Sequence, residues 1–341
     1  MGAAIAAAEA APAPSKAKFR RIAVEETFAT HEYLEARLKM VSGPNAVLPP
    51  NGQSPSDGKL MDLGAGRLAD MDAAGVDFQV CSIFTSTGML PKDISTGIMQ
   101  RSNDILAKGV QANPKRLGGL IGVFPQNIND AVKEIERGAK ELKLNGAIIN
   151  STTLNEYLDD PKYLPVWEAL AEHDLSLYLH PSRPPRQMIE ALDIPGYNTA
   201  WSFGVDAGTH AVRIMAAGIF DRFPKMRLVL GHMGESLPFW IYRMDIHYRR
   251  EFPTANPSKL KKEPGEYMRE NIYVTSSGMN FWPQVRMAQD VLGPDHVMFA
   301  LDYPFENLKD GVKAMDEAPM PDDVKHKFYH GIAEKIFKIP A

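Results

Sequence analysis

Leu228-Val229-Leu230-Gly231-His232 is an apolar run without alternation that closes on a histidine and leads straight into Met233-Gly234-Glu235. An unbroken apolar strand has to be covered on both faces, which is the condition inside a parallel sheet and not in a half-exposed antiparallel one. Outward from it, short β-rich runs bounded by turn residues recur at 21–25, 78–84, 117–124, 147–150 and 175–180, and again at 272–276 and 297–302. Amphipathic segments separate them, at 94–112, 128–142, 164–173, 207–219, 238–249 and 281–292. Eight strands alternating with helices predict an α/β fold, a (β/α)8 TIM-type barrel with a packed interior. A doubly wound sheet competes, but it needs a glycine-rich phosphate loop after its first strand, and Glu25-Glu26-Thr27-Phe28 holds no glycine. Gly64-Ala65-Gly66 precedes a predicted helix at 67–74 instead of following a strand, so it makes no dinucleotide site.

Two stretches exceed ordinary connections: 42–59, rich in Gly, Pro, Asn and Ser, and 183–203, with Pro184, Pro185, Pro195 and Trp201. Both are candidate lids. The tail 320–340 reads as two closing helices, residues 1–19 as a flexible Ala/Pro-rich arm, and 20–341 as one barrel domain. With 44% hydrophobic and 23% charged residues the chain is an ordinary globular one, which sets aside disordered, collagenous and disulfide-built classes. A net charge of −4 and the lack of any Lys/Arg-rich run argue against a nucleic-acid partner. No apolar stretch nears the roughly 20 residues a membrane span requires, and no basic residue precedes the apolar N-terminal part. The expectation is a cytoplasmic protein. Cys81 has no second Cys to pair with and no Lys, Arg or His beside it in sequence, and reads as a buried core residue.

In a barrel the reacting groups stand at the C-terminal ends of the strands. Glu25 falls at the end of the first, His180 of the fifth, His232 of the sixth, Thr275 and Ser276 of the seventh and Asp302 of the eighth. Glu25, His180 and Asp302 together make a set of two carboxylates and one imidazole, hard-to-borderline donors that suit one divalent metal ion, Mn2+ or Zn2+, and leave positions open for substrate. Each alone reads equally as a hydrogen-bonded core residue; three on separate strand ends need charge compensation. In His232-Met233-Gly234-Glu235 the acid, expected in the first helical turn, would orient the ring as a general acid or base requires, or simply favour the helix dipole. Arg243, two turns into that helix, reads either as a bidentate anion clamp or as a surface ion pair. His210, Phe28 and Phe305 complete the substrate-facing candidates, the two rings because they lie just past strand ends.

The segments Ile22-Ala23-Val24-Glu25-Glu26-Thr27-Phe28, Tyr178-Leu179-His180-Pro181, Gly218-Ile219-Phe220-Asp221 through Phe223-Pro224, Gly231-His232-Met233-Gly234-Glu235 and Asp302-Tyr303-Pro304-Phe305-Glu306, in this order, resemble the decarboxylase branch of the amidohydrolase superfamily. That branch includes the γ-resorcylate, 2,3-dihydroxybenzoate and 5-carboxyvanillate decarboxylases and, more distantly, aminocarboxymuconate semialdehyde decarboxylase. The resemblance implies metal ligation by Glu25, His180 and Asp302, substrate or proton-relay contacts from His232 and Glu235, and carboxylate recognition by Arg243. It also implies a homodimer or homotetramer. Thr27 stands where several relatives carry an additional His ligand. Gly58, followed by Lys59, stands where carboxyvanillate-type relatives carry a substrate-holding Arg, and Phe305 where they carry Tyr.

The implied reaction is the non-oxidative, organic-cofactor-free decarboxylation of a small aromatic acid with an ortho hydroxyl. In it Asp302 delivers a proton to the ring carbon that bears the carboxylate. The alternative on the same barrel is a metal-dependent hydrolase or hydratase acting on an ester, lactone, amide or unsaturated acid. Strand four ends Ile148-Ile149-Asn150 without the bridging Lys that two-metal hydrolytic members of the superfamily usually place there.

Overall fold

The computed structural model describes residues 18–84, 90–152, 154–255 and 260–340. Eight parallel strands run in chain order around one sheet: β1 Ile22–Phe28, β2 Phe78–Ile83, β3 Leu117–Gly122, β4 Gly146–Asn150, β5 Leu177–His180, β6 Leu228–Leu230, β7 Ile272–Thr275 and β8 Val297–Met298. The last strand returns to the first through Val24 N–H to Phe299 O at 3.3 Å and Thr27 N–H to Tyr303 O at 2.8 Å. Every residue of β6 is buried, as its unbroken apolar run demands. The helix Ile128–Lys140 turns Ala131, Ile135 and Gly138 inward at helical spacing, and the other crossover helices pack outside the strands in the same way. Of the arm expected at 1–19, residues 1–17 lie outside the described residues, whereas Lys18 pairs with Asp322 and Phe19 stacks on Tyr329.

Contacts between strands that are not neighbours identify the lumen face. Tyr178 Oη lies 3.1 Å from Thr275 Oγ1, and Thr275 Oγ1 donates to Glu25 Oε2 at 2.8 Å, joining β5, β7 and β1 across the barrel. Residues paired in register on adjacent parallel strands share a face. Asn150, opposite His180, is therefore a lumen residue, and Ser82 shares a face with Thr27. Alternation puts Glu26 and Phe28 on the opposite, helix-facing side. A register shift in β1 between Ala23 and Glu26 accommodates an extra residue next to Glu25.

Several boundaries differ from the sequence expectation. Glu25 stands inside β1, three residues short of its end, because the strand continues through Glu26-Thr27-Phe28. β8 keeps only two ladder residues, and Asp302 lies four residues beyond it on a buried segment held by hydrogen bonds other than the ladder. The tail forms one head-to-tail helical run, Asp322–His326, Lys327–Gly331 and Ile332–Ile336, in place of two separate helices. The 42–59 insertion ends in a short helix, Pro55–Met61, that Ser54 and Asp57 cap reciprocally. The 183–203 insertion contains the helix Arg186–Leu192 and the turn Asn198–Ser202.

Candidate active site

Glu25 is the buried centre of the mouth. Its Oε2 accepts from Thr275, whereas its Oε1 is buried with no hydrogen-bond partner and lies 3.8 Å from His180 Nε2. Burial, and then repulsion from Asp302, push the Glu25 carboxyl above its ordinary range against the opposing pull of His232. His180 Nδ1 stands 2.8 Å from the carbonyl of Pro181, and burial lowers the ring to about 4. A neutral ring whose Nδ1–H donates to that carbonyl turns an unprotonated Nε2 toward Glu25. Gly231 lets the carboxylate in: a Cβ there would sit 2.6 Å from Glu25 Oε1.

The polypeptide after β6 does not enter a right-handed helix at His232. His232, Met233, Gly234, Glu235 and Ser236 have φ of +46°, +57°, +76°, +52° and +68°, a left-handed turn with four non-glycine residues in it. Glu235 is thus not in a first helical turn, and the dipole reading of this acid falls away. Such residues cost about 1–2 kcal/mol each relative to the right-handed form, and conformations of this kind cluster at functional sites. What the turn achieves is proximity: His232 Nδ1–H donates to Glu235 Oε1 at 2.9 Å, while Nε2 faces Asp302 Oδ2 at 3.9 Å. Burial opposes the charge on the ring, but Glu235, Glu25 and Asp302 outweigh it and raise His232 well above its usual value. A Cβ on Gly204 would reach within 2.5 Å of Glu235 Oε2, so the helix Phe203–Ala216 presses bare backbone against this pair.

Among the described residues no three or more His, Cys, Asp or Glu side chains form a ready-made metal cage. Glu25 pairs with His180 and Asp302 with His232. A divalent cation nevertheless fits the chemistry of the mouth. Three carboxylates, Glu25, Glu235 and Asp302, meet there with a single raised His, and one buried carboxylate oxygen lacks a donor.

The remaining candidates are not brought to this centre. His210 is a structural residue: Nε2 accepts from Leu158 N–H at 2.7 Å, Nδ1 faces Ser151 Oγ at 3.4 Å, Tyr157 stacks edge-on, and burial lowers the ring to about 3. Phe28 is fully buried on the helix-facing side of β1 and not toward the mouth. Arg243 is exposed on the helix Leu237–Ala255. Phe305 sits three residues past Asp302 against the Phe84 ring, centroids 5.3 Å apart, and remains half-exposed. Lys59, the cation beside Gly58, is tied to Asp70 at 2.9 Å. Cys81 is buried, and burial pushes its thiol up to about 11; Arg67, absent from its sequence neighbourhood, stands 3.7 Å away.

Sequence reasoning missed the lumen groups Tyr178, Ser82 and Asn150. The amide of Asn150 is buried in register with His180, without a partner at either polar atom. Its place at a strand end was the available signal. A cavity of about 720 Å3 adjoins the mouth, walled by Trp201, His232, Glu235, Phe239, Trp240 and Met279 among others.

Residues 48–339 match the family model described as amidohydrolase. A γ-resorcylate decarboxylase of Rhodococcus jostii is 32% identical over 94% of this chain and 98% of its own. The crystal structure of 5-carboxyvanillate decarboxylase from Sphingomonas paucimobilis superposes with a TM-score of 0.88 at 37% identity, covering 95% of this chain and 100% of that one. The Novosphingobium aromaticivorans 5-carboxyvanillate decarboxylase, solved with bound manganese and a 4-hydroxy-3-methoxy-5-nitrobenzoic acid, gives 0.86 at 36% identity over 94% and 96%.

Proposed function

The chain belongs to the amidohydrolase family, and from that premise we propose that it is a carboxy-lyase, a metal-dependent non-oxidative decarboxylase of an ortho-hydroxylated aromatic acid. The observation that carries the reading is the mouth itself. A buried carboxylate–imidazole pair, Glu25 and His180, faces a His232–Glu235 pair and Asp302 on a barrel whose relatives are decarboxylases. The hydrolase or hydratase alternative draws no comparable support.

Glu25, His180 and Asp302 would hold one divalent ion, and manganese is the ion bound in the Novosphingobium enzyme. When bound, the ion supplies Lewis-acid stabilisation of the substrate's phenolate and carboxylate oxygens. The protein's own groups do the rest. His180, kept neutral, presents Nε2. His232, held through Nδ1 by Glu235, presents Nε2 beside the place an anionic substrate would take. Asp302 transfers its proton to the ring carbon, the bond from that carbon to the carboxylate breaks, carbon dioxide leaves, and the electron pair restores the aromatic ring. Asp302 then regains a proton from solvent. The ring substituents are the open variable of the pocket, with the buried amide of Asn150 as the contact proposed to read them.

A second copy of the chain is the proposed partner, supported by the exposed aromatic helix Leu237–Ala255, which carries Arg243 as well. No helix among the described residues is long and apolar enough to cross a membrane. A cytoplasmic setting is supported by the single, unpaired Cys81.

The deciding experiment reconstitutes the protein with Mn2+ or Zn2+ and screens ortho-hydroxybenzoates of varied substitution for carbon dioxide release. Release that needs metal is the expected result. Metal binding without release from any aromatic acid would instead make hydrolysis or hydration the leading reading.

A further inference from the structure

Glu26, the residue after the central carboxylate, is fully buried on the helix-facing side of β1 and has no place in the chemistry above. Its two oxygens are nonetheless used with a particular geometry. Oε1 accepts the N–H of Leu301 at 2.9 Å and Oε2 the N–H of Tyr303 at 3.1 Å, the two amides on either side of Asp302. One carboxylate thus straddles the residue, which sits in the left-handed region at φ +59°. β8 has ended at Met298, and beyond it β1 reaches this segment through only two backbone bonds, Val24 N–H to Phe299 O and Thr27 N–H to Tyr303 O, neither of which engages the N–H of Leu301 or Tyr303. Behind Glu26 the polar chain continues: Gln79 Nε2 donates to Glu26 Oε2 at 3.3 Å, and Arg67 Nη1 donates to Gln79 Oε1 at 3.1 Å, fixing the amide's orientation. The same guanidinium, wholly buried, donates to Thr27 O at 2.7 Å and lies 4.6 Å from the centre of the Tyr303 ring. Thr27 in turn donates to Tyr303 O through both N–H and Oγ1.

We propose that Glu26 is a positioning residue for Asp302: gripping the amides of Leu301 and Tyr303, it fixes the backbone that aims the Asp302 carboxylate at His232 and the mouth. Arg67 and Gln79 hold Glu26 in that grip. The inference rests on the proton-transfer role given to Asp302 above, but the grip itself is testable without it.

Glu26→Gln is the informative change, because it keeps the shape yet sets an N–H of its amide against one of the two backbone N–H groups. Glu26→Asp retains the carboxyl group and, one methylene shorter, reaches only one amide. The measurements on Mn2+-reconstituted protein are kcat and KM, hydrogen–deuterium exchange of the peptide spanning 299–304, and the thermal midpoint. For Gln the expected result is a kcat lower by about 10²-fold, KM within about twofold, exchange at Leu301 or Tyr303 at least about tenfold faster, and a midpoint within about 5 °C of the parent. Asp is expected to fall between Gln and the parent. Unchanged exchange at 301 and 303 overturns the proposal. So does a loss of kcat that merely tracks a loss of folded protein, since that is a plain stability role. Should the parent release no carbon dioxide, the functional reading fails, while the exchange comparison still decides whether the grip exists.

Discussion

Asp302 combines a left-handed backbone, a partly buried carboxylate and a cationic neighbour within 4 Å. Replacing it by Asn keeps the shape and removes the transferable proton. Asp302→Asn is therefore expected to lower kcat by about 10²–10⁴-fold with KM changed only a few-fold, as read from steady-state carbon dioxide release; an active Asn enzyme would remove Asp302 from the proton-transfer step. His210 yields a prediction about stability. Its folded value, about 3, lies below the unfolded one, so the unfolded chain takes up the proton first. The stability this neutral ring contributes is complete above about pH 6.5 and is lost as pH falls toward 3. Between about pH 6.5 and 5 the loss is about 2 kcal/mol. His210→Gln should flatten that part of the urea-midpoint profile relative to the parent, and parallel profiles would contradict the assignment.

At the scale of elements, the left-handed turn after β6 is what separates a functional loop from an ordinary helix entry. Met233 and Gly234 are buried within it, whereas Ser236 is exposed at φ +68°. Ser236→Gly is expected to stabilise the fold by about 1 kcal/mol, checked by urea unfolding, because glycine adopts this region without the Cβ clash. A destabilised variant would mean that the Ser236 side chain makes a contact worth more than the strain. The strand register belongs to this scale too. Alternation along β1 sends Glu25 into the lumen and Glu26 to the helix-facing side, so two adjacent acids of the same sequence serve opposite faces.

For the molecule as a whole, Phe239 and Tyr242 are each 75% exposed on the helix Leu237–Ala255, with Trp240 and Ile246 nearby, next to the cavity at the mouth. Apolar patches of this kind mark association surfaces. Phe239→Glu together with Tyr242→Glu is expected to shift the protein toward a monomer in light scattering coupled to gel filtration; an unchanged mass would place any assembly on another face. The barrel itself was legible in the sequence. Runs such as Leu228-Val229-Leu230 demand cover on both faces, and polar residues that end such runs, Glu25, His180 and His232, could only be tolerated at an open mouth. Short-range patterning carries that information, since burial and period are properties of neighbouring residues. The sequence had no means of fixing where β1 ends, and the strand's continuation through Phe28 turned that ring away from the mouth; nor did it fix the handedness of the turn at His232. Nor did it hold the partners of His210 and Glu26, which come from segments 52 and 275 residues distant. Those outcomes depend on which strands and loops meet once the barrel closes, and a hydrogen bond between distant segments leaves no period in the chain that makes it.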